Sequence, residues 1–164
     1  MKTLVLGLGN ILLSDEGVGV HIVRLLQERY EFPQEVDLMD GGTLGLDLLP
    51  YVEDAQRLLI VDAVQMDAPA GTVARLEGDE VMAIFRTPIS LHQMGVNDLL
   101  AAARLLDRYP EQVVLWGIQP AVLDVGLELS PPVAAQVETL AQNVLAELQQ
   151  WGIQPTRRRN CEAK

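Results

Sequence analysis

Leu4-Val5-Leu6-Gly7-Leu8-Gly9-Asn10 followed by Ser14-Asp15-Glu16-Gly17 reads as a buried strand, a glycine turn and the start of a helix, and this succession predicts an α/β fold. In nucleotide-binding βαβ units the same succession leaves bare amides at the helix N-terminus for a pyrophosphate. Here two carboxylates take that place. A phosphate brought to Asp15 and Glu16 would meet like charge, whereas a divalent cation or the cationic end of a peptide would be attracted. The dinucleotide fingerprint is also incomplete, because its third glycine position holds Leu12. Asp40 fits a ribose-binding acid at the end of a second strand, so nucleotide binding stays open as a minor alternative.

Working outward, strand-like and helix-like stretches alternate. Strands are expected at Lys2 to Gly7, Val36 to Met39 and Arg57 to Asp62, with helices at Gly17 to Tyr30 and Leu44 to Val52. Gly71 to Glu77 alternates with period two and is more polar, which suits an edge strand that breaks the βαβ rhythm. An amphipathic helix over Asn97 to Tyr109 ends before Pro110, Val113 to Ile118 is an apolar strand, and Pro131 to Trp151 is a closing helix. The expectation is a single three-layer α/β domain over residues 1–155. Its twisted, mostly parallel sheet would have about five strands, with helices on both faces and one antiparallel edge strand.

With 164 residues and 49% hydrophobic content, the chain can bury one substantial core. Its net charge is −11, and Thr156 to Lys164, with Arg157, Arg158, Arg159 and Lys164 against Glu162, is locally +3. That basic tail, without apolar periodicity, is expected to be disordered. So acidic a body repels nucleic acid and anionic lipid. Cys161 alone cannot make an internal disulfide. Residues 4–13 lack a signal-peptide cleavage site, and no apolar run reaches the roughly 18 residues of a membrane span. A cytoplasmic protein, monomeric and free of the membrane, is expected.

In open parallel sheets ligands bind beyond the carboxyl ends of the strands. Glu16 follows the first strand, Asp40 ends the second, Asp62 ends the third, and His92 lies in the loop Thr87 to Gly95 before a helix. Each has a plain alternative: Asp15 and Glu16 as helix-terminal acids worth about 0.3–1 kcal/mol, Asp40 and Asp62 as turn formers, His92 as a loop histidine on a carbonyl. His21, between apolar residues in a helix, reads as structural. Together, two carboxylates and an imidazole at strand ends suit a borderline divalent ion with open positions. No HExxH, P-loop, paired CxxC or Gly-x-Ser-x-Gly motif is present.

Gly7-Leu8-Gly9-Asn10-Ile11-Leu12-Leu13-Ser14-Asp15-Glu16-Gly17-Val18-Gly19 resembles the opening signature of the nickel-iron hydrogenase maturation endopeptidases. Asp40-Gly41-Gly42-Thr43, Ile60-Val61-Asp62-Ala63, Ser90-Leu91-His92-Gln93 and Trp116-Gly117-Ile118-Gln119-Pro120 resemble further blocks of that family, in order, over about the first 150 residues.

The resemblance implies an endopeptidase that removes a C-terminal extension from the precursor of the hydrogenase large subunit after nickel insertion. It implies Glu16, Asp62 and His92 as the metal-binding set and Asp40 as a further functional acid. Nickel would be read in the substrate and not kept permanently, although another divalent ion could take the site in vitro. For the cleavage step either Asp40 or a metal-positioned carboxylate, Glu16 or Asp62, would act as general base on water. A non-proteolytic factor that senses nickel and docks the precursor would use the same residues and would leave the precursor's mass unchanged.

Overall fold

The structure, a computed structural model, describes residues 1–159. In chain order its elements are β1 (Thr3–Leu8), α1 (Val18–Arg29), β2 (Tyr30–Glu31), β3 (Val36–Gly42), α2 (Leu49–Glu53), β4 (Arg57–Ala63), β5 (Val73–Glu77), α3 (Asp79–Phe85), α4 (Leu91–Leu105), β6 (Gln112–Ile118), α5 (Pro131–Ala134), α6 (Val137–Gln150) and β7 (Thr156–Arg157). Two 3-10 turns, Ser14–Gly17 and Gly45–Leu48, precede α1 and α2.

A five-stranded sheet runs β3-β1-β4-β6-β5. Its first three pairings are parallel, and β5 runs antiparallel to β6 at the edge, as the more polar pattern of 71–77 predicts. Period-two alternation splits the apolar residues between two layers. Leu4, Leu6, Leu58, Ile60, Val113 and Leu115 face a core shared with Leu48, Val52, Phe85, Leu99 and Leu100, from the helices on one side. Val5, Leu59, Val61 and Val114 face Val18, Ile22, Leu26, Leu140, Val144 and Leu148 of α1 and α6 on the other. Strands buried on both faces leave their carboxyl ends as the place where polar side chains can gather.

Several boundaries differ from expectation. The helix expected from Asn97 starts at Leu91, so His92 sits in its first turn and not in a loop. Gly95 weakens helix propensity there, but the buried face His92, Val96, Leu99, Leu100 and Ala103 overrides it. The strand ending in Asp40 continues to Gly42, past an irregularity that pairs Gly7 with Asp40 and Leu8 with Gly42. The closing helix is interrupted at Ala135–Gln136, where Gln136 has φ −102 and ψ 0. Helix α3, seven residues long, is additional.

The expected disorder of the tail does not hold for its first residues. Thr156 and Arg157 pair antiparallel with Glu31 and Tyr30, and the Arg158 guanidinium donates to Gln27 O at 3.0 Å and Glu31 Oε1 at 3.2 Å. The Arg158 side chain finds a carbonyl of α1 and an acidic partner just beyond it, which charge alone did not reveal. Cys161 lies outside the described residues. Among those described, no helix is long and apolar enough to cross a membrane.

Candidate functional site

Glu16 comes from the 3-10 turn after β1, Asp62 from the penultimate position of β4, and His92 from the first turn of α4. The fold brings these three together. His92 Nδ1–H donates to Glu16 Oε1 at 2.5 Å, and Nε2–H donates to Asp62 Oδ2 at 2.9 Å, with Oδ1 at 3.1 Å. Both ring nitrogens face carboxylates, so the imidazole is held as an imidazolium between two acids. Burial by itself would lower the His92 pKa, but the charges and hydrogen bonds of Asp62 and Glu16 outweigh it and raise it to about 9. Burial pushes the Asp62 carboxyl up, against the pull of the imidazolium and of the Gln93 and Ala63 N–H groups.

Around the trio, Ser90 Oγ lies 2.7 Å from His92 Nδ1. Ser90 precedes α4 with extended backbone and makes no side-chain cap bond, so its hydroxyl serves the ring and not the helix end. Gln93 Nε2–H donates to Ala63 O at 2.7 Å and reaches Asp62 Oδ2 at 3.3 Å, while its Oε1 accepts from Ile89 N–H at 3.1 Å. Ser90 and Gln93 flank His92 in sequence, and only their adjacency could have suggested this orienting role.

A pocket of about 590 Å³ opens in front of Glu16 and His92, lined also by Asn10, Leu13, Thr43, Ile89, Ser90, Leu91 and Leu123. Asp62 does not line it: with 0% exposure it stands behind His92. Gly9 packs against the turn that carries Glu16. Its φ of +118 suits glycine, and a Cβ there would lie 1.8 Å from Glu16 O, so the acidic turn is folded directly onto the glycine turn. That packing occupies the place where a dinucleotide fold keeps its glycine loop open to pyrophosphate.

Two predicted acids go elsewhere. Asp40 is not at the pocket; its Oδ2 accepts from Arg24 Nη2 at 3.0 Å, across to α1. Asp15 faces away from the cation-attracting position read from sequence. Its carboxylate accepts from Ala121, Val122 and Ser130. His21 lies in α1 with its Nε2 buried and, among the described residues, without a hydrogen-bond partner, and burial lowers its pKa.

Two carboxylates and an imidazole are donors that suit a borderline divalent ion. As arranged, however, the trio is hydrogen-bonded to itself, and among the described residues no group of three or more His, Cys, Asp or Glu side chains is set around a position for an ion. The order of the trio is carboxylate, imidazolium, carboxylate, with one carboxylate and the ring edge facing the pocket.

A family model described as hydrogenase maturation protease matches residues 20–147. The hydrogenase 2 maturation protease of Escherichia coli K12 is 42% identical over 156 residues, covering 94% of each chain. The hydrogenase expression/formation protein HupM of Azotobacter chroococcum is 45% identical over 157 residues, 94% of this chain and 75% of the other. Among solved structures, the hydrogenase maturating endopeptidase HybD of E. coli superposes with a TM-score of 0.93 at 40% identity, covering 98% of this chain and 99% of that one. The [NiFe] hydrogenase maturation protease HybD of Thermococcus kodakarensis gives 0.70 at 29% identity, covering 89% and 98%.

Proposed function

Since the chain belongs to the hydrogenase maturation proteases and is thus an endopeptidase, we propose that it cuts a C-terminal extension from the precursor of a [NiFe] hydrogenase large subunit once nickel is in place. The observation that carries this reading is the convergence of Glu16, Asp62 and His92 behind one pocket. Glu16 and His92, on the pocket wall, are the residues that meet the nickel borne by the precursor. Asp62 holds the ring from behind; the ring and Asp62 become donors to that ion only once the imidazolium has lost a proton and released this hydrogen bond. Nickel enters as part of the substrate, so the protein keeps no ion of its own between turnovers.

Within this reading the chain's own groups have distinct work. Asp62 fixes the ring through Nε2–H and stabilises its positive charge. Gln93 holds Asp62, and Ser90 holds the other edge of His92. Glu16 is the carboxylate at the pocket, so it is better placed than Asp40 to take a proton from an attacking water. Asp40 would first have to leave its ion pair with Arg24. The same reading has the protein act as a monomer in the cytoplasm, on a protein substrate and not on nucleic acid, which a net charge of −11 repels.

Intact mass of a candidate large-subunit precursor, with and without nickel, before and after incubation, tests the proposal. Loss of a C-terminal peptide from the nickel-loaded form alone is the expected result. Equal cutting of both forms would remove nickel from the recognition step, and cutting unaffected by His92→Ala would remove the site.

A further inference from the structure

Asp15 is a buried carboxylate with no part in the cleavage described above. It has 0% exposure and accepts four hydrogen bonds: from the backbone N–H of Ala121 and Val122, each at 2.9 Å, and from the backbone N–H and the hydroxyl of Ser130, each at 2.7 Å. Those donors are the two ends of segment 121–130, which contains no helix and pairs only through the isolated bridge Leu13–Gly126. One side chain therefore clamps a loop at both ends.

The middle of the segment is tied to the same acidic turn. Ser14 N–H donates to Gly126 O at 2.9 Å, Gly126 N–H to Leu12 O at 2.9 Å, and Ser14 Oγ–H to Asp124 O at 2.8 Å. The approach is so close that a Cβ on Gly126 would stand 2.8 Å from Ser14 Oγ. Leu123 from this segment lines the pocket together with Ile89 and Leu91, and further along the same segment Val125 and Leu127 are 87% and 69% exposed. An irregular segment that presents Leu123 at a pocket and leaves further apolar side chains exposed, yet is pinned along its length, is pre-organised for a partner.

We propose that residues 121–130 form a strap that grips apolar side chains of the precursor beside the cut, and that Asp15 is the positioning residue holding this strap against the turn that carries Glu16. The inference rests on the preceding reading, in which this pocket receives the precursor. Because the strap binds and does not react, loosening it weakens substrate binding while leaving the chemical step in place.

The test is steady-state cleavage of the nickel-loaded precursor by full-length Asp15→Asn, Gly126→Ala, Leu123→Ala and the Gly126→Ala/Leu123→Ala double variant. Gly126→Ala sets a Cβ against Ser14 Oγ and so displaces either the strap or the hydroxyl that bonds Asp124 O, without touching a buried charge; together with Leu123→Ala it keeps the test decisive should Asp15→Asn fail to fold. Expected is a KM raised about fivefold or more in each single variant, kcat within about twofold, and a double variant no worse than the poorer single, since a displaced wall no longer presents Leu123. A purely structural clamp would lower the melting temperature and leave KM unchanged; unchanged KM in Gly126→Ala and Leu123→Ala overturns the proposal. His92→Ala in the same assay separates the failures: if it abolishes cutting while the strap variants are silent, the strap is wrong and the site stands, whereas if it cuts normally the site itself is wrong.

Discussion

His92 Nε2 and Asp62 Oδ2 face each other at 2.9 Å across the junction of α4 and β4, and the two side chains are almost wholly removed from water. A buried charge pair of this kind is costly unless further hydrogen bonds satisfy both partners. Glu16, Ser90, Gln93 and the Ala63 N–H supply them. The relationship fixes which atom holds a proton at neutral pH, and it sets the behaviour of the site.

Glu16→Gln, Asp62→Asn and His92→Ala are each expected to slow processing of the nickel-loaded precursor by about 10²–10⁴-fold, the usual reach of positioned acid–base groups. Asp40→Asn should slow it less than about tenfold, since Asp40 engages Arg24 away from the pocket. Time courses of intact precursor mass measure all four. A loss in Asp40→Asn equal to the others would put that residue in the machinery.

The imidazole of His92 should remain protonated through neutral pH, because its flanking carboxylates outweigh burial and hold its pKa at about 9. Nitrogen-15 NMR of the ring reads this directly, and Asp62→Asn should move the titration down. The folded value lies above the unfolded one of about 6.5. The stability it contributes is therefore complete below about pH 6.5 and lost as pH rises through about 9. The melting-temperature gap between the wild type and His92→Gln should narrow between pH 6 and pH 10.

Acid should act on Asp15 in the opposite sense. Burial alone would raise its pKa, but the donors from Val122, Ser130 and Ala121 together hold it below the ordinary 3.8. Its contribution is present above that value and lost as pH falls through the lowered folded one. Asp15→Asn should cost about 1–3 kcal/mol at pH 7 by leaving buried N–H groups poorly matched. In urea titrations, that deficit should shrink below about pH 4.

Removing the chain from Thr156 onward deletes β7 and the bonds from Arg158 to Gln27 and Glu31. These are exposed, short contacts. A loss of about 1 kcal/mol, seen as a melting point about 2–4 °C lower, is expected. Cleavage should stay within about twofold, and a larger drop would tie the tail to the substrate.

Much of the architecture is legible in the chain because it rests on local periodicity. Leu4 to Leu8, Leu58 to Val61 and Val113 to Ile118 carry apolar residues on both faces, as central parallel strands must, and Val73 to Glu77 does not. Glu16, Asp62 and His92 were identifiable as acids and an imidazole near strand ends. Their contact was not, because it joins residues 30 and 76 positions apart. Nor was the start of α4, since Gly95 masks a helix whose buried face is defined only once the sheet is there to receive it.

The sequence by itself determined the layers, the antiparallel edge and the set of side chains from which a site could be built, because burial periodicity and residue chemistry are local properties. Only the tertiary structure decided which of two neighbouring acids faces the pocket. Asp15 and Glu16 have the same charge and the same local context, but Asp15 is turned away by donors 106 to 115 residues distant, and Glu16 is turned inward by an imidazole from α4. A carboxylate points to the donors that satisfy it, and those donors exist only after the chain has folded.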